Sequence, residues 1–125
     1  MDCVEHELPA QLSAVGLARH WVSRHCAGLL SQEQRDVLEL LTSELVANAV
    51  VHGGGTVTLA VARAPGDVVV AVSDSSPQPP TVKAVELEAT GGRGVALVDL
   101  LAQAWGWEPH PPGKRVWFRL TDVSA

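Results

Sequence analysis

The sequence predicts an α+β fold, arranged as a two-layer α/β sandwich with a mainly antiparallel sheet and about three helices on one face. Three observations support it. Two segments with helical apolar spacing come first, a hairpin rich in β-branched residues lies in the middle, and a third helical segment is followed by a closing hairpin. Helices packed on one side of an antiparallel sheet leave its other face free for a partner.

The first helix is predicted over residues 10–28. Its apolar side chains recur every three or four residues, and Gly28 marks its end; they include Leu12, Val15, Trp21 and Val22. The neighbouring Cys26 is interpreted as a small core residue.

The second helix is predicted over residues 32–51. Ser31 and Gln34 have the spacing of a capping box, and an apolar stripe continues behind them. Glycines at 53–55 remove helix propensity and end the helix.

The first strands are predicted from β-branched residues. Residues 4–8 form a short edge strand, and residues 56–62 and 67–73 form an antiparallel hairpin around a turn at 64–66. This hairpin is expected at the centre of the sheet.

The remaining chain begins with an irregular stretch at 73–92, of a kind that is usually functional or mobile, with a weakly helical segment at 82–88. A third helix then runs from the glycines at 91–94 to about residue 104. Strands at 104–108 and 114–120 close the fold, and alternation places Trp105 and Trp107 on one sheet face. The charges at the start of the last strand, Lys114 and Arg115, are expected to be solvated.

Length and charge limit the function classes. The 125 residues fit one domain, residues 1–125, and 9 Lys and Arg against 14 Asp and Glu give a net charge of −5. This acidic balance disfavours direct nucleic-acid binding. There is no signal-peptide pattern and no apolar run near the roughly 18 residues of a membrane span, so we expect a cytoplasmic protein without membrane contact.

Two polar residues on the second helix suggest chemistry. Glu44 and Asn48 are four residues apart and therefore project from the same face. Burying them unpaired would cost about 1 to 3 kcal/mol each, which favours a water-filled or ligand-filled cavity beside them. An amide oxygen suits magnesium, and a carboxylate can deprotonate a hydroxyl. The alternative is an amphipathic helix whose Glu and Asn face solvent.

Two further features have both functional and ordinary interpretations. Gly91, Gly92 and Gly94 precede the third helix, where successive amides form an anion site and Arg93 adds a bidentate donor, although such clusters are often only connections. His52 follows Asn48 by one turn, and the helix dipole is favoured over catalysis as the explanation of a histidine there.

Four segments in order resemble the GHKL ATPases: ELVANAVVHG at 44–53, VSDSSP at 72–77, GGRGVALV at 91–98 and GKRVWF at 113–118. The resemblance covers roughly residues 5–121. Within this superfamily the chain looks most like the stand-alone anti-sigma-factor serine/threonine kinases of bacteria, which implies the Bergerat fold.

The resemblance implies ATP and Mg²⁺ as cofactors. It implies that Asn48 holds the magnesium ion, that Glu44 polarises the attacking hydroxyl, and that Asp74 reads adenine. It also places the phosphate-closing glycine box at Gly91, Gly92, Arg93 and Gly94, and His52 is counted among the expected cofactor-binding residues. The chain departs from the family at Ser76 and Gln78, where glycines are expected. Asp74 also has an ordinary interpretation as a turn cap after a strand.

The expected function is that of an ATP-binding anti-sigma regulatory protein. It would phosphorylate Ser or Thr of an anti-anti-sigma antagonist of the STAS type and sequester a sigma factor. The alternative is a non-catalytic interaction module, with or without nucleotide, which the missing glycines favour. A homodimer formed through the first helix or the free sheet face is left open.

Overall fold

The computed structural model describes residues 2–53, 55–78 and 93–122. It confirms the α+β sandwich. The elements are β1 (Asp2–Leu8), α1 (Ala14–His25), α2 (Gln32–Asn48), a π-helical turn (Ala49–Gly53), β2 (Val57–Ala64), β3 (Asp67–Asp74), α3 (Arg93–Leu101), β4 (Ala104–His110) and β5 (Gly113–Thr121). The weak helix predicted at 82–88 lies outside the described residues.

The sheet has five strands in the order β1-β2-β3-β5-β4, and every neighbouring pair is antiparallel. Its central hairpin turns at Gly66, which has a positive φ of 72° that L side chains rarely adopt. The Gly66 carbonyl also accepts a 2.8 Å hydrogen bond from the Asp122 amide, so the turn is tied to the residue after β5.

The core lies between one face of the sheet and the helices. Alternate residues of each central strand point into it, and the largest fully buried side chains come from both layers: Phe118, Leu8, Leu38, Leu41, Leu59 and Leu120. Cys26 is fully buried among them, as the sequence predicts.

The opposite face of the sheet carries small residues at its centre. One register row contains Ala60, Ala71, Trp117 and Gly106, and the Trp117 indole lies against the Gly106 backbone. Trp105 and Trp107 lie on one sheet face, as predicted, and their pairing with core-facing residues of β5 shows that this face is the helix side.

The start of α2 has the predicted cap. Ser31 Oγ accepts a 3.3 Å hydrogen bond from the Gln34 amide, and the Ser31 amide donates to Asp122 Oδ2 at 2.7 Å. The predicted end of this helix at residue 51 falls inside the π-helical turn. In contrast, α1 is shorter than the predicted 10–28, because residues at both ends form turns instead.

Among the residues that the structure describes, no helix is long and apolar enough to cross a membrane.

Candidate functional site

Two segments of the predicted site and the turn after α2 meet at one end of the central strands. Asp74, the last residue of β3, pairs with Lys114 near the start of β5. A methyl group on Gly113 would overlap the backbone of Asp74 and Ser75, and one on Gly55 would overlap the Ser75 side chain. The end of β3, the start of β5 and the segment after α2 are therefore packed together.

Glu44 and Asn48 lie on α2 at the margin of its buried stripe. Both are half-buried, and the residue between them in the stripe, Leu45, is 3% exposed. Neither polar side chain has a hydrogen-bond partner within residues 2–53, 55–78 and 93–122. Within the described residues the carboxylate and the amide are therefore unpaired, and their helical spacing puts them on one face of α2.

The residues after Asn48 form the π-helical turn instead of a further α-helical turn. Such turns are rare in proteins overall, and those that occur often lie at functional sites. His52 lies in this turn with an exposed ring, at the helix end where a positive group is favoured by the dipole. Its part in nucleotide binding remains a prediction.

Asp74 is buried, with 8% of the residue exposed. Its Oδ1 accepts a 2.9 Å hydrogen bond from the Ser76 amide, so Asp74 does cap the turn after β3. The same carboxylate also binds the Lys114 ammonium, with Nζ at 3.2 Å from Oδ1 and 3.0 Å from Oδ2. Asp74 is therefore one half of a buried ion pair.

The expectation that Lys114 is solvated is wrong, because this residue is only 8% exposed. Lys114 lies two residues before Val116 and four before Phe118 in β5, so its side chain shares their face of the sheet, which is the face covered by the helices. That alternation was a signal available in the sequence. Arg115 points to the other face, where its Nε is 3.4 Å from Ser73 Oγ, and it is half-buried.

The glycine box is described only in part. Gly91 and Gly92 lie outside the described residues, and Arg93 and Gly94 form the first backbone positions of α3, with the Arg93 side chain not described. This helix packs against α2. The helix start therefore lies where the sequence predicts it, and the proposed anion site remains a prediction.

The donor set suits a magnesium ion that is held mainly by water and phosphate. Asn48 offers an amide oxygen that has no partner among the described residues, with Glu44 one turn away. No group of three or more His, Cys, Asp or Glu that could hold a metal is found in the described part of the chain. Magnesium commonly keeps several waters and takes only one or two protein ligands beside substrate phosphates, so the site fits a nucleotide-borne ion.

The two-layer sandwich therefore carries a half-buried Glu and Asn on one face of α2 and a buried Asp at the end of β3. The model of the histidine kinase-like ATPase domain matches residues 8–120. The chain belongs to this family, and the predicted membership of the GHKL superfamily is thereby confirmed. No curated protein matches the chain.

Proposed function

We propose that this protein is an ATP-binding, cytoplasmic anti-sigma regulator that phosphorylates Ser or Thr of an anti-anti-sigma antagonist and sequesters a sigma factor. Family membership supports ATP binding. The observation that carries the catalytic part is the free, half-buried pair of Glu44 and Asn48 on one face of α2. An unused carboxylate and amide at a helix margin are suited to an acceptor hydroxyl and a metal.

In this proposal each residue has one role. Asn48 directs its amide oxygen at Mg²⁺, which neutralises phosphate charge when it is bound. Glu44 accepts the proton of the attacking hydroxyl, and Asp74 accepts a hydrogen bond from the base. Phosphoryl transfer needs little from the protein beyond positioning and charge compensation, which such a sparse site can supply.

The test is phosphate transfer from labelled ATP to an anti-anti-sigma protein in the presence of magnesium. Glu44→Gln is expected to reduce transfer by about 10²-fold or more while ATP binding survives, because a general base is lost. Glu39→Gln is the matched control, since it makes the same change at a half-buried position on the same helix. Transfer that is equally strong in both variants would refute the role of Glu44.

A second measurement tests the metal ligand. Asn48→Ala is expected to lose the magnesium-dependent part of ATP affinity and to keep the part measured with EDTA. Unchanged magnesium dependence would remove Asn48 from the site.

The second candidate is a nucleotide-binding or nucleotide-free interaction module that transfers no phosphate. The buried pairing of Asp74 with Lys114 favours it, because the carboxylate already has a strong partner. Ser76 and Gln78 favour it too, since side chains restrict the close backbone approach that glycines allow. This candidate predicts capture of the partner protein with no label transferred from ATP.

A further inference from the structure

The Asp74–Lys114 ion pair lies where the proposed function puts the nucleotide base. Its two side chains are 5% and 10% exposed, so only a small part of the pair is accessible. The pair is formally neutral and buried, which suits an uncharged base better than a phosphate. The inference below rests on the proposed ATP binding and concerns how the base is selected.

The remaining hydrogen-bonding capacity of the pair can be counted. A carboxylate offers about four acceptor positions, and an ammonium group has three donors. At Oδ1 the Ser76 amide and Lys114 occupy both positions, whereas Oδ2 accepts, among the residues that the structure describes, from Lys114 alone. One acceptor position on Asp74 Oδ2 and one N–H of Lys114 are left for a ligand.

A 6-aminopurine matches this remaining capacity, because its exocyclic amino donor lies next to the ring acceptor N1. We propose that Lys114 is a base-specificity residue. Its free N–H donates to adenine N1, while Asp74 Oδ2 accepts from the 6-amino group. Both contacts use the hydrogen-bonding positions that the ion pair leaves unoccupied.

The same count of hydrogen-bonding positions predicts that guanine binds more weakly than adenine. The guanine carbonyl and N1–H would use Lys114 and Oδ2, but the 2-amino group needs a second carboxylate acceptor, and Oδ1 is already full. An unpaired amino group buried in the site weakens binding. Inosine nucleotides lack that group and therefore avoid this loss.

The experiment compares the dissociation constants of ATP and 1-deaza-ATP, in which a C–H replaces N1 and the 6-amino group is kept. The wild type is expected to bind ATP about tenfold to a hundredfold more tightly, the range for a hydrogen bond to a charged group. Lys114→Met is expected to remove this difference. GTP is expected to bind the wild type at least about tenfold more weakly than ATP or ITP.

Two further variants control the result. Arg115→Met removes the same charge from the neighbouring position on the other sheet face, and it is expected to keep the wild-type ratio. Because Lys114→Met leaves a buried carboxylate unpaired, the double variant Asp74→Asn with Lys114→Met serves as the second test. Its amide can still accept from the amino group, so it is expected to bind ATP and 1-deaza-ATP equally.

Three results would overturn the inference: equal affinity of the wild type for ATP and 1-deaza-ATP, discrimination that survives in folded Lys114 variants, or tighter ATP binding when Lys114 is removed. The last would mean that Lys114 closes the site. A wild type that binds no adenine nucleotide would instead refute the proposed function itself.

Discussion

At the residue scale, the two cysteines have opposite surroundings. Cys3 is exposed on β1, whereas Cys26 is fully buried behind α1. Burial raises the pKa of the Cys26 thiol to about 11, although the charges of Arg63 and Arg35 act in the other direction. At neutral pH this thiol is therefore protonated as well as inaccessible.

We predict that Ellman's reagent modifies one thiol per chain in the native protein at pH 8 and two in guanidinium chloride, because the thiolate is the reactive form. Cys3→Ser is expected to leave the native protein unreactive. Modification of native Cys3→Ser at the rate of the unfolded chain would show that Cys26 is accessible.

His25 lies at the end of α1 in a contact with Arg63. Arg63 Nη1 is 3.0 Å from His25 Nδ1 and donates to the His25 carbonyl at 2.6 Å. The guanidinium can only donate, so Nδ1 is the acceptor and the ring is neutral. Burial, followed by the Arg63 charge, holds the pKa of His25 below its usual 6.5.

This lowered pKa predicts a pH dependence of stability. The unfolded chain binds the His25 proton more readily, so the contribution is fully present above pH 6.5 and is lost as pH falls below it. Between pH 7.5 and 5.5, the wild type is expected to lose more unfolding free energy in urea than His25→Gln does. His20→Gln, at an exposed position on the same helix, should follow the wild type; equal losses in all three proteins would contradict the prediction.

The candidate site also shows what a sequence reveals about single residues. The shared face of Glu44 and Asn48 was predictable because their helical spacing fixes it, and their role in a site remains a prediction. Lys114 was wrongly predicted to be solvated because the prediction followed its charge and not its position in the strand. Its partner, Asp74, is 40 residues away in the sequence. An ion pair across two strands depends on register, which neither local segment specifies.

At the scale of elements, predictions succeeded where the chain signals its own boundaries. The start of α2 was identified from Ser31, and the central hairpin from a turn that includes Gly66. The predicted range of α1 was too long at both ends, because the apolar spacing continues into the flanking turns and no residue there marks the boundary. The π-helical turn was missed because its wider backbone repeat leaves no mark in the residue pattern.

The Ser31 cap gives a prediction for an element. Ser31→Ala is expected to lower the unfolding free energy by about 1 kcal/mol, because the Gln34 amide loses its acceptor. Ser13→Ala is the matched control at the start of α1, where the serine side chain makes no cap hydrogen bond. Urea denaturation of both variants measures the difference; equal changes would show that the cap contributes nothing.

At the scale of the whole molecule, the fold class was predictable because the order of elements leaves few ways to bury two layers. The single domain remains a prediction. One contiguous hydrophobic core joins residues from the helices and the sheet, so the two layers are expected to unfold together.

We therefore predict coincident urea transitions by far-ultraviolet circular dichroism and tryptophan fluorescence, the mark of two-state unfolding. Phe118→Ala, at the fully buried centre of β5, is expected to remove about 3–5 kcal/mol of stability. Both transitions should shift equally. Separate midpoints for the two signals would indicate more than one folding unit.

The close approach of Gly113 to the turn after β3 has a consequence for engineering. Because that position accepts no side chain without moving the backbone, the peptide that carries residue 114 is held in place by its neighbour, whatever residue 114 is. A library that varies residues 74 and 114 together keeps this backbone contact and leaves no buried charge unpaired, whereas one that also randomises residue 113 should consist largely of misfolded members.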